Sequence, residues 1–577
     1  MKKHLLSLLL LLICQFGFAQ NYNVIEPELQ KVISEKGSDM ISVNIILKAE
    51  INISDLRNNV RNTSDVKAHR QAIVGELKIF SEQSQKDVLS LLKAGEASGD
   101  IKDVKTHWLS NMISCTASKD YIYLLSDHAD VKILGYNELQ FLLGHEKAKN
   151  VEPIRGMTQN IKHVYADKAW NAGFTGKGVL VGVIDTGVNF HKDLENNLWD
   201  GGEEYPNHGY NTFENSHDLT DGYNHGTHCA GIICGDGTSG TQTGIAPDAT
   251  IMCVKVMDDG GAGDVNTVCS GIEFAIEHGA DVLNMSLGFP NAAMSTREAL
   301  RQTYENALEA NVAIVTAVGN DGMLSLTYPV PNSVRVPGGC PPPWIHPDQQ
   351  ANAGGLSACI AVGAVDYHNR VADFSSKGPF TWQTSSYEDY PYLPGREIGL
   401  IRPDVCAPGV GIISCSNKNS SGYESMDGTS QATPCVTGVI CLMLEKKPYL
   451  TPAQICEALE TTATKLSETK SNETGSGCVN TMLALQKIEE YDDLTNVADV
   501  YNDNISIYPN PANEKLYIET EIEIEEVSIF DIYGRRQELS AVSGQPSAID
   551  VSGLKSGIYF VKINTEEGNI VKRIIKN

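Results

Sequence analysis

Apolar and polar positions alternate in more than one way along the 577-residue chain. In its middle part, short continuous apolar runs alternate with segments whose apolar residues recur every three to four positions. The runs include GVLVGVID, TIMCVKVM, DVLNMSL and VAIVTAVGN. Continuous apolar runs between amphipathic helices are typical of a parallel sheet covered by helices on both faces. The pattern predicts an α/β domain over 160–487, with functional residues beyond the carboxyl ends of its strands.

The flanking segments follow other patterns. Residues 20–150 combine strand-like runs such as ISVNIILK with one long amphipathic helix, which predicts a small α+β domain. The polar segment 149–162 contains Pro and Gly and predicts a linker. Strict alternation over 500–577 predicts a small all-β sandwich domain. Two Pro-rich insertions, 329–355 and 380–396, are predicted to be surface loops.

Charge and the N-terminus restrict the compartment and the partners. Two lysines, an apolar run and a small residue at Ala19 form the pattern of a secretory signal peptide over 1–19. No later stretch is apolar enough to predict a transmembrane segment after signal removal. A net charge of −27 argues against nucleic acid as a partner. We therefore expect a protein that is secreted or held at the outer cell surface.

The chain has 14 cysteines, several of them within apolar segments where a free thiol behaves as a small hydrophobic group. Export favours disulfides, so we expect a few bridges. Cys340 and Cys359, which flank a Pro- and Gly-rich loop, form the best candidate pair. No cysteine or histidine spacing is typical of a zinc site, so no metal centre is expected, and no cofactor is expected for catalysis.

Four polar residues follow or precede apolar runs at places suited to nucleophilic catalysis. Asp185 ends GVLVGVID, His225 opens HGTHCAG, Asn320 follows VAIVTAVG, and Ser430 lies in DGTSQATP. Taken singly, each has an ordinary explanation as a turn residue, a core histidine or a helix cap. A hydroxyl becomes a nucleophile when a general base lies beside it and a third group orients that base. Together the four residues supply those parts.

The motifs VIDTGV, HGTHCAG, NMSLG, AVGN and DGTSQATP resemble, in sequence and in order, those of subtilisin-like serine peptidases, the subtilase family. FSSKGP and RPDVCAPG resemble two further subtilase segments. The resemblance implies a three-layer subtilisin-like fold and a serine endopeptidase that hydrolyses polypeptide substrates. It implies Ser430 as the nucleophile, His225 as the general base, Asp185 as the group that orients His225, and Asn320 as an oxyanion donor.

The resemblance also implies residues that bind substrate. Ser286, Leu287 and Gly288 resemble the strand that pairs with an extended substrate. Asp321 is expected near the primary specificity pocket. Thr327 stands where many subtilases have glycine and is expected to make that pocket shallower. For Asp321 and Thr327, ordinary turn and strand roles stay open.

Two further expectations follow from the same resemblance. Cys229 is expected beneath His225, where it would confer sensitivity to thiol-binding metals, although a plain buried thiol stays open. The loop 236–242 resembles a calcium-binding loop of some subtilases, with Asp193 as a partner ligand and a structural calcium ion as the expectation. Thr238 stands where a side-chain amide is usual.

The flanking domains resemble known modules as well. Residues 20–150 resemble the subtilase propeptide, which inhibits its own enzyme until it is cleaved; an appended domain that stays attached is the alternative. YPNPANEKLYIE and SIFDIYGRR resemble the type IX secretion sorting domain, which implies the type IX machinery as a partner. An accessory β-module is the alternative. We predict a secreted serine endopeptidase made as a zymogen, against a catalytically silent surface binding protein on the same fold.

Overall fold

The computed structural model describes residues 24–491, with gaps at 37–39, 61–64, 142–147, 342–358 and 383–398, together with most residues from 505 to 576. The predicted signal peptide over 1–19 lies outside the described residues. In the part of the chain that the structure describes, no helix combines the length and the apolar character that a membrane span requires.

Residues 24–141, called here the N-terminal unit, form an antiparallel sheet with helices. The strands are β1 (Ile41–Leu47), β2 (Ile101–His107), β3 (Met112–Ala117) and β4 (Val131–Tyr136), and their order is β2-β3-β1-β4. The helices are α1 (Pro27–Lys36), α2 (Ile53–Val60), α3 (Val66–Ser98) and α4 (Lys119–Ser126). The predicted long helix is α3. Asp65 caps its first turn, and Gly99 ends it in the left-handed region at φ 83°.

The central unit contains most of the remaining helices and strands. Three short strands come first along the chain: β5 (Gln140–Phe141), which ends the N-terminal unit, and β6 (Lys149–Val151) and β7 (Gly156–Met157), which begin the central unit. The further strands of the central unit are β8 (Leu180–Asp185), β9 (Gly209–Asn211), β10 (Thr241–Gln242), β11 (Thr250–Lys255), β12 (Ala262–Gly263), β13 (Val282–Met285), β14 (Ala313–Ala317), β15 (Ile360–Val365), β16 (Val405–Pro408), β17 (Ile412–Cys415) and β18 (Tyr423–Met426). The helices are α5 (Gln159–His163), α6 (Ala166–Asn171), α7 (His225–Cys234), α8 (Val265–Glu277), α9 (Met294–Glu309), α10 (Thr429–Lys446), α11 (Pro452–Thr462) and α12 (Thr481–Lys487). Short 3₁₀ turns cover Glu195–Asn197 and Ile488–Glu490.

Seven parallel strands form the central sheet in the order β16-β15-β14-β13-β8-β11-β9. Alternate residues along each strand face opposite layers, as the pleat requires. In β8, Val181 and Val183 pack in the same cluster as the buried residues of α7 and α10. Ile184 packs instead with α8 and α9. The predicted α/β fold with a covered parallel sheet is confirmed.

The segment 149–162 differs from the predicted linker because part of it is paired. β6 is antiparallel to β18, with Asn150 opposite Glu424, and β7 is parallel to β10. These partner strands lie far away along the chain, and a local pattern of polar residues carries no signal of such distant pairing. The segment therefore belongs to the central unit.

The C-terminal region contains two antiparallel sheets, β19-β20-β24-β23 and β22-β21-β25-β26. Their strands are β19 (Ile505–Tyr508), β20 (Lys515–Thr520), β21 (Ile524–Asp531), β22 (Arg536–Gln537), β23 (Ser540–Ala541), β24 (Ala548–Asp550), β25 (Gly557–Thr565) and β26 (Gly568–Lys576). Leu516 and Ile518 of the first sheet share one buried cluster with Ile529 and Val561 of the second. The predicted all-β sandwich is confirmed.

The N-terminal unit packs on one side of α8 and α9, a surface called here the helix face. Apolar residues of both units share a single buried cluster there. The backbone of buried Leu109 is held at both of its polar groups: its N–H donates to Glu273 (2.7 Å) and its carbonyl accepts from the Asn306 amide (2.7 Å). Arg57 donates two hydrogen bonds to Glu309, at 2.8 and 2.7 Å.

A second and much smaller contact, called here the strand contact, joins β5 to β12. Phe141 lies opposite Ala262, and Gln140 lies opposite Gly263, in antiparallel register. The Phe141 ring meets the Tyr223 ring edge to face, with centroids 6.1 Å apart. An extended segment thus forms a backbone ladder along the edge of the central unit.

The predicted Cys340–Cys359 disulfide is wrong for this structure. The thirteen described cysteines are all buried and all unbridged. The Cys359 thiol donates to the Pro337 carbonyl at 3.2 Å, and the Cys340 thiol donates to the Pro341 carbonyl at 3.7 Å. Closeness along a Pro-rich loop does not by itself align two Cβ atoms for bridging.

Candidate active site

Asp185 and His225 form the first part of the site. Asp185 is the last residue of β8, and His225 is the first residue of α7. His225 Nδ1 lies 2.7 Å from Asp185 Oδ1, and both side chains are about 1% exposed. Asn224 precedes the helix in a left-handed conformation with φ 77°, which turns the histidine back towards the sheet edge. The aspartate therefore orients the imidazole and fixes which ring nitrogen faces it.

Asp221, which the sequence analysis did not identify, holds the loop that leads to His225. Its buried carboxylate accepts hydrogen bonds from the Tyr223 and Asn224 N–H groups at 3.1 and 2.8 Å. It also accepts from the Thr227 N–H and hydroxyl groups at 2.8 and 2.7 Å, and from the Thr186 hydroxyl at 2.8 Å. Buried carboxylates are rare unless their oxygens are satisfied in this way. The five donors make Asp221 the centre of the loop.

The Asp221 network reaches the Asp185–His225 pair directly. The Thr186 hydroxyl that donates to Asp221 also accepts from the Gly226 N–H at 3.0 Å. The Thr186 N–H donates to Asp185 Oδ1 at 2.8 Å. Residues on either side of the Asp185–His225 contact are thus fixed by one buried carboxylate. The only sequence signal was the density of polar residues in DGYNHGTH, which is also typical of any turn.

Ser430 is the second residue of α10 and lies in the same buried corner. Its hydroxyl donates to the Ser286 carbonyl at 3.1 Å, and its carbonyl accepts from the Ser286 hydroxyl at 2.9 Å. Cys229 joins the two halves of the site, because its Sγ lies 3.5 Å from the Ser430 carbonyl and 3.8 Å from His225 Nδ1. Burial raises the pKa of the Cys229 thiol to about 11, so at neutral pH it is an uncharged packing group.

Asn320 follows β14 and is oriented by the start of α10. Its Oδ1 accepts from both the N–H and the hydroxyl of Thr429, each at 2.8 Å. The first N–H groups of a helix have no partner within the helix, so the asparagine oxygen satisfies one of them. Asn320 also lines the cleft beside Ser430.

A narrow cleft opens beside the serine and collects most of the predicted substrate residues. Its lining consists of Ser286, Leu287, Gly288, Ala317, Gly319, Asn320, Arg335, Thr429 and Ser430. The predicted strand 286–288 forms one wall, and the segment 317–320 forms the other. The edge that carries the strand contact is occupied by β5, which pairs with β12 as an extended peptide would.

The two predicted pocket residues have different outcomes. Asp321 is buried and does not line the cleft itself, but its carboxylate binds the Arg335 side chain that does. Thr327 is wrong as a pocket residue. It is exposed, and its N–H donates to the Leu324 carbonyl at 2.9 Å in a tight turn that carries the side chain into solvent.

Arg335 is a second residue that the sequence analysis missed. It lies in the insertion 329–355, which was predicted to be a surface loop. The described part of that insertion is largely buried from Ser333 to Pro341, because its backbone bonds to the walls of the cleft. A Pro-rich segment has no periodicity from which burial could be predicted.

Asp193, the expected calcium ligand, accepts hydrogen bonds on both of its carboxylate oxygens. Its Oδ1 accepts from the Ser239 N–H at 2.5 Å, and its Oδ2 accepts from the Tyr423 hydroxyl at 2.6 Å. His191 and Cys415 complete the nearby cluster of potential ligands. Calcium takes six to eight oxygens. The residues around Asp193 do not fit a calcium ion, because hydrogen-bond donors face both carboxylate oxygens.

Comparison with known proteins identifies the family. The family model described as "Subtilase family" matches residues 176–477, more than half of the chain. The chain belongs to the subtilase family. Subtilisin Savinase of Lederbergia lenta is 35% identical over 320 residues, which cover 56% of this subtilase and 95% of that protein. M-protease of Shouchella clausii is 34% identical over 335 residues, covering 58% and 71% of the two chains.

A second model, described as "Secretion system C-terminal sorting domain", matches residues 506–577. This subtilase is therefore a serine endopeptidase by family, and its sorting domain assigns it to the secreted or cell-surface proteins. Alkaline elastase YaB of Bacillus sp. is a further relative, 32% identical over 362 residues that cover 63% of this chain and 79% of that protein. The predicted family and the predicted sorting domain are both confirmed.

Proposed function

We propose that this subtilase hydrolyses peptide bonds through Asp185, His225 and Ser430, with Asn320 as an oxyanion donor, and that it is made as a secreted zymogen. The observation that carries the proposal is the 2.7 Å contact between Asp185 and His225 in the corner that also contains Ser430. Fold alone does not establish chemistry. A complete set of nucleophile, base and orienting group supports an active enzyme over a silent binding protein.

In the proposed reaction, Ser430 Oγ attacks the carbonyl carbon of the scissile bond while His225 removes the hydroxyl proton. The tetrahedral intermediate places negative charge on the former carbonyl oxygen. Asn320 Nδ2 and the Ser430 N–H, at the positive end of α10, donate hydrogen bonds to that oxygen. His225 then gives its proton to the departing amine, and Asp185 stabilises the imidazolium throughout. Water repeats these steps on the acyl-serine ester and releases the new carboxylate.

The strand contact supports an inhibitory role for the N-terminal unit. β5 is bonded to β12 as an extended chain, in the manner expected of a peptide that pairs with this edge. We propose that the N-terminal unit folds with the central unit, blocks substrate entry, and is released after a cut between β5 and β6. The alternative is that the unit stays attached to a mature protein.

The test compares the full chain with Ser430→Ala, and with Ser425→Ala as a matched control on the adjoining strand β18. We expect wild type and Ser425→Ala to lose the N-terminal unit, as seen by intact mass, and to digest casein. Ser430→Ala stays uncut, and its turnover falls by about 10⁴–10⁶-fold, the general range for losing a triad nucleophile. If all three proteins stay intact and inactive after limited proteolysis, the binding-protein alternative replaces this proposal.

A further inference from the structure

The cleft beside Ser430 is where the side chain of the acyl-side residue, the one immediately before the cleaved bond, must enter. Asn320 and Ser430 stand at the mouth of this cleft, and the reacting carbonyl lies between them in the proposed mechanism. Its two walls each contain a glycine, Gly288 on one side and Gly319 on the other. Glycine walls normally leave room for a side chain of the substrate.

In this protein, the room between the two glycines is filled by Arg335. A Cβ atom placed on Gly288 would lie 2.7 Å from Arg335 Cβ, and one placed on Gly319 would lie 3.0 Å from Arg335 Cγ. Both distances are shorter than ordinary carbon–carbon contact. The aliphatic stem of the arginine therefore runs between the walls in van der Waals contact with both.

The backbone fixes the arginine in this position. The Arg335 N–H donates to the Val318 carbonyl at 3.0 Å, next to one wall. The neighbouring Val336 pairs with Phe289 next to the other wall, through bonds in both directions. The segment thus bridges the two sides of the cleft, and the stem has little freedom to withdraw.

The guanidinium group is anchored as well. Arg335 Nε and Nη2 donate to the two oxygens of Asp321 at 2.6 and 3.0 Å, and the two side chains are 11% and 4% exposed. A large substrate side chain would have to displace this paired guanidinium and leave Asp321 as an unpaired buried charge, which is unfavourable. A basic side chain would meet the arginine charge at close range.

We infer that Arg335 closes the primary pocket and restricts the acyl-side residue to small uncharged side chains such as alanine, serine or glycine. This inference rests on the proposed function. It makes Arg335 a specificity-determining residue, with Asp321 as the residue that positions it.

The test uses peptide anilides that differ only in the acyl-side residue, alanine, phenylalanine or lysine, with the processed full chain and Ser430→Ala as the blank. We expect kcat/KM for alanine to exceed that for phenylalanine by about 10-fold or more. Cleavage of the phenylalanine peptide in preference to alanine would overturn the inference while leaving the proposed function intact. Hydrolysis of none of the peptides would overturn both.

Two double variants distinguish the effect of the aliphatic stem of Arg335 from the effect of its charge. Arg335→Ala combined with Asp321→Asn removes the arginine side chain from the pocket without leaving a buried charge. The ratio of kcat/KM for the phenylalanine peptide to kcat/KM for the alanine peptide should then rise by roughly 10–100-fold. Arg335→Met in the same Asp321→Asn background keeps an unbranched stem and should retain the wild-type ratio. Arg370→Ala, at an exposed arginine, is the matched control. Equal ratios in the alanine and methionine variants would overturn the inference, as would a wild-type ratio in a folded alanine variant.

Discussion

The N-terminal unit touches the central unit in two ways that differ sharply in extent. The helix face consists of an apolar cluster shared by both units, the bidentate Arg57–Glu309 ion pair, and a Leu109 backbone held by Glu273 and Asn306. The strand contact consists of a two-residue ladder and one ring contact, with Phe141 itself 40% exposed. Buried apolar area and satisfied polar groups carry most association free energy. We infer that the helix face supplies affinity and the strand contact supplies blockade.

Such a division lets one module serve two purposes. In the proposed zymogen, the helix face holds the N-terminal unit in place, while the short ladder is the part that a substrate strand would replace. Because the ladder contributes little free energy, the end of the cleaved N-terminal unit would bind only weakly to the edge that substrate uses in the proposed zymogen. Each half of this comparison can be tested separately.

The largest effect is expected when the helix face is weakened. Leu109→Ala removes a fully buried side chain, which costs about 2–5 kcal/mol at such sites. Peptide hydrolysis measured directly after processing should therefore rise by about 30-fold or more, since 1.4 kcal/mol corresponds to a tenfold change in binding. Leu92→Ala is the control, because Leu92 lies in the unit's own core, away from α8 and α9. Equal activation in the two variants would contradict the role of the helix face.

A smaller and different effect is expected at the strand contact. Phe141→Ala should leave the N-terminal unit associated, with a loss of about 0.5–1.5 kcal/mol from one aromatic contact. Size-exclusion chromatography would still show the complex, yet that complex should cleave small peptides faster than the wild-type complex does. Leu139→Ala, an exposed residue in the same tail, serves as the control. Release of the unit as complete as in Leu109→Ala would refute the division of roles.

The smallest effect is a pH dependence at the helix face. His69 Nε2–H donates to the Glu309 carbonyl at 3.0 Å, and Arg70 and the Arg57–Glu309 pair are the charged groups that face it. Burial is the largest cause and lowers the pKa of His69 below its ordinary 6.5; the hydrogen bond and the charge of Glu309 oppose this shift, and the Arg70 charge adds to it. A lowered histidine pKa favours the docked state above pH 6.5, and this contribution is lost as the pH falls through the lowered value.

The measurement is the urea midpoint for undocking of the N-terminal unit within the uncut Ser430→Ala chain, between pH 7.5 and pH 5. The midpoint should fall with pH, and it should fall less when His69→Gln is added. His368→Gln, at an exposed histidine, should behave like the parent. An unchanged slope in the His69 variant would show that other groups set the pH dependence.

Much of this architecture could be predicted because local patterns determine it. The apolar runs of the central sheet and the long helix α3 follow directly from hydrophobic periodicity. Asp185 was expected at a strand end and was found there. The residues that hold the site were a different matter. Most donors to Asp221 belong to its own loop, and Arg335 lies in an irregular segment. Nothing in either neighbourhood distinguishes these two residues from ordinary loop residues.

Three predictions were wrong, and each error has a physical cause. Segment 149–162 has the composition of a linker, but its pairing depends on β18 and β10. Cys340 and Cys359 flank one loop, yet each thiol donates to a backbone carbonyl instead of meeting the other. Thr327 was expected in the pocket because it stands where many subtilases have glycine, whereas it lies exposed in a turn. Pairing with distant strands explains the first error, and hydrogen bonds made within the loop and within the turn explain the other two.

Alkylation of the thirteen described buried thiols can report on how the molecule opens. Burial raises the pKa of many of them, including Cys115 to about 12 and Cys359 to about 11, so the closed molecule offers alkylating reagents almost no thiolate. Each thiol becomes reactive only when its own region opens. Cys115 would report on the N-terminal unit and Cys359 on the central sheet, so the order in which they are alkylated would reveal the order in which the two parts come apart.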